Sequence, residues 1–178
     1  RILTFTLEGD MALRLGWGET KGFLMSVGGF HPSYKPPTEL KVPNLKRLTL
    51  TILADNPRLI LTCYFAVTSN TVQFGAKIDF RFSISEFKVI GYLYFDVLFQ
   101  FSPFKFIAGI GAGLEVKIGS TTLFAITLDF ELQGPTPWHA KGTASFSILF
   151  FTIKVHFDEE WGDKSSVEIP TIAVLPKA

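Results

Sequence analysis

The chain has 178 residues, enough for one domain with a substantial core, and its 17 Lys and Arg against 16 Asp and Glu leave a formal charge of +1. That balance gives no electrostatic case for nucleic acid, which calls for a clustered basic face, and 47% hydrophobic residues exclude a disordered polymer. A single cysteine, Cys63, excludes an intrachain disulfide. Mean hydropathy of +0.31 and 19 Phe keep association with lipid open, although no run of about 18 apolar residues marks a transmembrane helix.

The chain opens on Arg1-Ile2-Leu3, with neither an initiator Met nor a secretory leader. It is therefore expected to be a piece of a longer protein, whose compartment these residues do not specify. Short strands are predicted near 2–8, 11–17 and 22–28. Gly28-Gly29-Phe30-His31-Pro32-Ser33-Tyr34-Lys35-Pro36-Pro37 follows. Its prolines lack the N–H that a central strand must donate, so 28–43 reads as an ordered surface loop. Loops on a rigid scaffold carry binding more often than sheets do, which makes Phe30, His31 and Tyr34 candidate recognition residues. The plainer reading is a proline-stiffened connection capping the sheet edge.

From there period two dominates. Between Thr71 and Ile84, Val72, Phe74, Ala76, Ile78, Phe80, Phe82 and Ile84 alternate with Gln73, Gly75, Lys77, Asp79, Arg81 and Ser83. Such alternation marks a strand with one apolar and one polar face. The same test predicts strands near 45–53, 58–68, 86–101, 104–118, 121–133 and 138–157. Turn residues separate them at Asp55-Asn56-Pro57, Ser69-Asn70, Ser102-Pro103, Gly119-Ser120 and Gly134-Pro135-Thr136-Pro137. Connections this short force antiparallel neighbours. Apolar residues must face apolar residues, which fixes a register. Phe65 is set against Phe74, Cys63 against Ala76, Phe99 against Phe106 and Phe95 against Ile110. A three-residue loop at 119–121 sets Ile110 against Phe130. A longer loop at 133–137 sets Phe124 against Phe146, Asp129 against Lys141 and Glu131 against His139. A parity change at Phe150-Phe151 predicts a β-bulge that bends the sheet. The tail 169–178, with two prolines, reads as a linker after a single domain spanning 1–168.

No motif here carries catalysis. Gly109-Ile110-Gly111-Ala112-Gly113 lacks the helix that a dinucleotide loop requires and instead places Gly111 opposite Tyr94 and Gly113 opposite Tyr92. His31, His139 and His156 do not stand at metal-ligand spacing; His156 with Asp158 and Glu160 is the nearest approach. Cys63 falls on the apolar face, where a buried thiol is inert. No catalytic, metal or cofactor site is expected.

Several segments carry a resemblance. They are Gly28-Gly29-Phe30-His31-Pro32, Thr68-Ser69-Asn70-Thr71-Val72-Gln73-Phe74-Gly75, Phe99-Gln100-Phe101-Ser102-Pro103-Phe104, Gly134-Pro135-Thr136-Pro137-Trp138-His139 and Ser145-Phe146-Ser147-Ile148-Leu149-Phe150-Phe151. Over about Gly16 to Gly162 the chain resembles an uncharacterised domain family of large bacterial β-rich proteins. The resemblance implies a module within a long polypeptide and brings no activity.

The expected fold is all-β: an antiparallel meander of long amphipathic strands forming a curved sheet, sandwich or barrel-like domain. The expected function is a non-catalytic structural or binding module. Its apolar face would pack on a flanking domain of the same protein or hold a hydrophobic ligand such as lipid. An outer-membrane-type β-barrel is the alternative, and an enzyme whose site lies outside this sequence is third.

Overall fold

The computed structural model describes residues 5–162. Eleven strands form one antiparallel sheet. They are β1 (Thr6–Glu8), β2 (Met11–Gly16), β3 (Gly22–Val27), β4 (Leu48–Ala54), β5 (Arg58–Thr68), β6 (Thr71–Ile84), β7 (Phe87–Gln100), β8 (Lys105–Ile118), β9 (Thr121–Gly134), β10 (Trp138–Ile148) and β11 (Phe151–Trp161). The ladder runs β1-β4-β5-β6-β7-β8-β9-β10-β11, with β2 on β3 and β3 on β5. It is not closed into a barrel: among the described residues, β1 and β11 do not pair with each other. Residues 1–4 and the expected linker at 169–178 lie outside the described residues.

One edge is built unusually. Val27 pairs with Phe65 and Leu48 pairs with Cys63, so β3 and β4 lie end to end along the same side of β5. The chain leaves that line at Gly28 and rejoins it at Leu48. Gly28 fills the point of departure, at φ 79° and with Cys63 O and Leu48 N where a Cβ would stand. Only glycine combines that backbone with so little room.

The excursion from Gly28 to Arg47 does not cap the sheet edge. It lies over one end of the polar face. Ala12, Leu24, Ser26, Tyr64, Ala66, Gln73 and Leu98 are buried there, beneath or beside the loop. Among the described residues, the Phe-rich face has no second layer. Ile78 and Phe95 on it are 41% and 40% exposed, and Val155 on β11 is 57% exposed.

The predicted registers of β5–β6, β7–β8 and most of β8–β9 match the ladder: Phe65 faces Phe74, Phe99 faces Phe106 and Ile110 faces Phe130. Three predictions are corrected. The β9–β10 ladder is shifted by two residues, so Asp129 faces Thr143, Lys141 faces Glu131 and Gln133 faces His139. A two-residue shift keeps every side chain on its own face, so matching of apolar residues could not detect it. The turn after β8 is Gly119-Ser120 alone, and a bulge at Leu123 absorbs the extra residue. The parity change near Phe150 is a hairpin, not a bulge: Ile148 pairs with Phe151 around the turn Leu149-Phe150. Two apolar residues carry no turn signal, which hid it.

Candidate functional site

The meander places two surfaces back to back. On the apolar side, rows run straight across the ladder. One row reads Cys63, Ala76, Phe95, Ile110, Phe130, Gly142, Phe157, and the next reads Leu61, Ile78, Leu93, Ala112, Leu128, Ala144, Val155. Neither contains a charge. Ring contacts Phe74–Phe95 and Phe124–Phe146, with centroids 6.3 and 5.4 Å apart, tie neighbouring strands, and Phe130 meets Phe157 at 5.8 Å across Gly142 of the strand between them. Cys63 is half-buried in this surface, more open than the inert core thiol that the pattern suggests.

On the polar side the glycines decide the relief. A Cβ at Gly111 would meet the Tyr94 ring and one at Gly113 the Tyr92 ring, so both tyrosines lie flat across bare backbone. Their rings are 6.3 Å apart and 16° from parallel. Tyr64 lies over Gly75 in the same way. The phenols are pinned by carboxylates: Tyr64 donates to Asp96 at 2.7 Å and Tyr94 donates to Asp129 at 2.7 Å. Burial, then the neighbouring carboxylate, pushes both phenols well above the ordinary tyrosine value.

The 28–47 loop walls this floor. Its crown is held from both sides. The His31 N–H donates to Oε1 of Gln73 at 2.9 Å, and Nη1 and Nη2 of Arg47 donate to the carbonyls of Gly28 and Phe30 at 3.0 and 2.7 Å. The Arg47 guanidinium sits 3.9 Å above the Tyr64 ring. Nδ1 of His31 accepts from the Ser33 N–H at 3.0 Å, which assigns the ring proton of the neutral form to Nε2. Burial lowers the His31 pKa, Asp96 and Glu131 oppose that shift, and Arg47 reinforces it.

Between loop and sheet lies a cleft of about 330 Å³, lined by residues that include His31, Ser33, Tyr94, Asp96, Asp129, Glu131, Lys141 and His156. Of the three recognition candidates, only His31 faces it, and His31 is buried. Phe30 packs on Tyr34 at 5.3 Å. Tyr34 lines a separate cleft beside Leu24, Leu40 and Thr68. Sequence reading missed the cleft's sheet residues because Tyr94, Asp129, Lys141 and His156 come from four strands, and only register brings them together. His139 bonds Asp158 at 2.5 Å, holding the Asp158 carboxyl below its ordinary value. Among the described residues no three His, Cys, Asp or Glu converge as a metal would require.

The profile of a family described as a family of unknown function (DUF6603) matches residues 2–175. The chain belongs to that family. No curated protein and no solved structure matches it. DUF6603 membership agrees with the uncharacterised domain family expected from the loop and turn segments, and the single matched span covers both the loop-walled cleft and the open apolar face.

Proposed function

We propose that this DUF6603 domain is a non-catalytic structural module whose apolar face packs on a second apolar β-layer contributed by a neighbouring part of the same protein. The observation that carries the reading is the single-layer sheet. Seven long strands at ~4.8 Å spacing and ~3.3 Å per residue make a face on the order of 1,000 Å². Soluble surfaces rarely leave patches beyond roughly 300–600 Å² bare. Stable folds bury a sheet face against another layer.

A broad surface with straight rows of Phe, Leu, Ile and Val suits a facing sheet, whose side chains interdigitate across ~10 Å. The clefts around His31 and Tyr34 are on the other side and under the loop. Acyl chains of lipid are the alternative occupant, favoured by the absence of charge from the two central rows. A closed outer-membrane barrel would need further strands to join β1 to β11.

The test compares the chain alone with the chain in its full-length protein. The reading expects the isolated chain to bind a hydrophobic dye and self-associate by light scattering, and the longer protein to do neither. If acyl lipids co-purify stoichiometrically in mass spectra, and dye binding is unchanged in the longer protein, lipid is the occupant and the reading fails.

A further inference from the structure

The β10–β11 turn stands apart from its neighbours chemically. Three tight turns at this end of the sheet place their first residue at positive φ: Ser85 at 53°, Gly119 at 58° and Leu149 at 51°. Glycine adopts that backbone without steric cost, and small polar residues tolerate it. Leucine does neither, and hairpin turns of this form favour Gly at the first position. Leu149 and Phe150 are therefore poor turn residues. They are also open: Phe150 is 98% exposed and Leu149 54%. The turn geometry gives no reason for two large apolar side chains at this tip.

The polar face offers a second observation at the same end. Arg81, Ser83, Lys88, Ile90 and Lys117 line a cleft of about 410 Å³ that contains three cations and no carboxylate. Lys88 and Lys117 face each other across β7–β8, and Lys117 faces Thr122 on β9. Leu149 N–H donates to the Leu123 carbonyl at 3.0 Å, so the tip lies beside that end of β9. At ~4.8 Å per strand, the apolar tip and the lysines are about 10–15 Å apart along one rim. Counter-charges are few. Glu115 pairs with Lys117 at 3.3 Å, and Asp55 and Glu86 sit in adjoining turns. Among the described residues, Arg81 and Lys88 have no carboxylate within ion-pair distance.

We propose that this rim seats on an anionic phospholipid bilayer, with Leu149 and Phe150 entering the acyl boundary and the Arg81–Lys88–Lys117 cleft taking headgroup phosphate. An apolar tip beside cations matches the two layers of a membrane interface. The site is separate from the broad apolar face, and neither proposal depends on the other.

The test is co-sedimentation of the whole chain with vesicles of phosphatidylcholine alone and of phosphatidylcholine mixed with phosphatidylserine. Binding is expected to the mixed vesicles and to weaken with salt. The paired substitution Leu149→Gly with Phe150→Ser copies the molecule's own Gly119-Ser120 turn. It is expected to lower vesicle affinity about tenfold or more, while the urea midpoint stays level or rises. Lys88→Gln and Lys117→Gln should each cost about fivefold. The proposal is overturned if mixed vesicles are not bound, or if the turn variant binds them as the parent chain does. It is equally overturned if inorganic phosphate binds the cleft while vesicles do not, or if the only effect of the turn variant is to dissociate a vesicle-free dimer.

Discussion

The buried N–H of His31 donates to the side-chain oxygen of Gln73, 42 residues later, and that bond fastens the 28–47 loop to the sheet. Gln73 is wholly buried, and its amide nitrogen donates to Thr71 at 3.0 Å. Gln73→Leu keeps the bulk but leaves the His31 N–H without a partner. It should lower stability by about 1–3 kcal/mol. Hydrogen exchange is expected to quicken in 28–47 while β7 and β8 stay protected. Uniform loss across the sheet would instead mean that the loop is integral to the fold.

Acidification should weaken the same contact. Burial, opposed by Asp96 and Glu131, holds the His31 pKa below its ordinary value of 6.5 in the fold. The unfolded chain therefore takes up its proton first as pH falls. Stability contributed by neutral His31 is fully present above about pH 6.5 and declines from there down to the folded value. Denaturation midpoints across that window should show a fall that His31→Gln flattens. A rise on acidification would reverse the assigned sign.

Gly111 has a steric role. Gly111→Val would place a branched side chain in the Tyr94 ring and drive it off the strand. A loss of about 1–3 kcal/mol is expected, as in other overpacked sites. Tyr94→Phe removes only an exposed hydrogen bond to Asp129 and should cost about 1 kcal/mol or less. Chemical denaturation of both variants provides the comparison, and an equal cost would contradict the packing role.

The open face gives a sharper contrast. Ile110→Lys sits mid-row on a surface where Ile110 is 45% exposed. In the isolated chain the change should cost about 1 kcal/mol or less, as exposed substitutions do. In the full-length protein it should cost several-fold more, because a charge would then be buried without a partner. Equal and small losses in both contexts would leave the face without a protein layer.

Much of this fold can be read in the residues. Alternation from Thr71 to Ile84 identifies a strand, and the same pattern with short polar turns dictates an antiparallel meander. Phe65–Phe74 and Phe99–Phe106 follow because a one-residue slip would turn every apolar side chain outward. The β9–β10 slip of two residues escapes the same rule because parity is unchanged. Leu149-Phe150 escapes because the turn uses residues that turns avoid. The cleft was only half legible. His31 stands out beside its prolines, whereas Asp129, Glu131 and Lys141 look like ordinary solvent-facing strand residues until register gathers them.

By itself, then, the sequence determined the local periodicity: which residues are strands, which face of each is apolar, and that His31 sits on a loop between strands. These depend on side-chain spacing of two along an extended chain, which needs no partner to be defined. Only the tertiary structure decided where the loop lies and which face it covers. It folds over the polar side because Gln73, Arg47 and Ser26 satisfy its backbone there, and a partner such as Gln73, 42 residues from His31, leaves no periodic signature. That choice buries a small polar-side core and leaves the greasier face open.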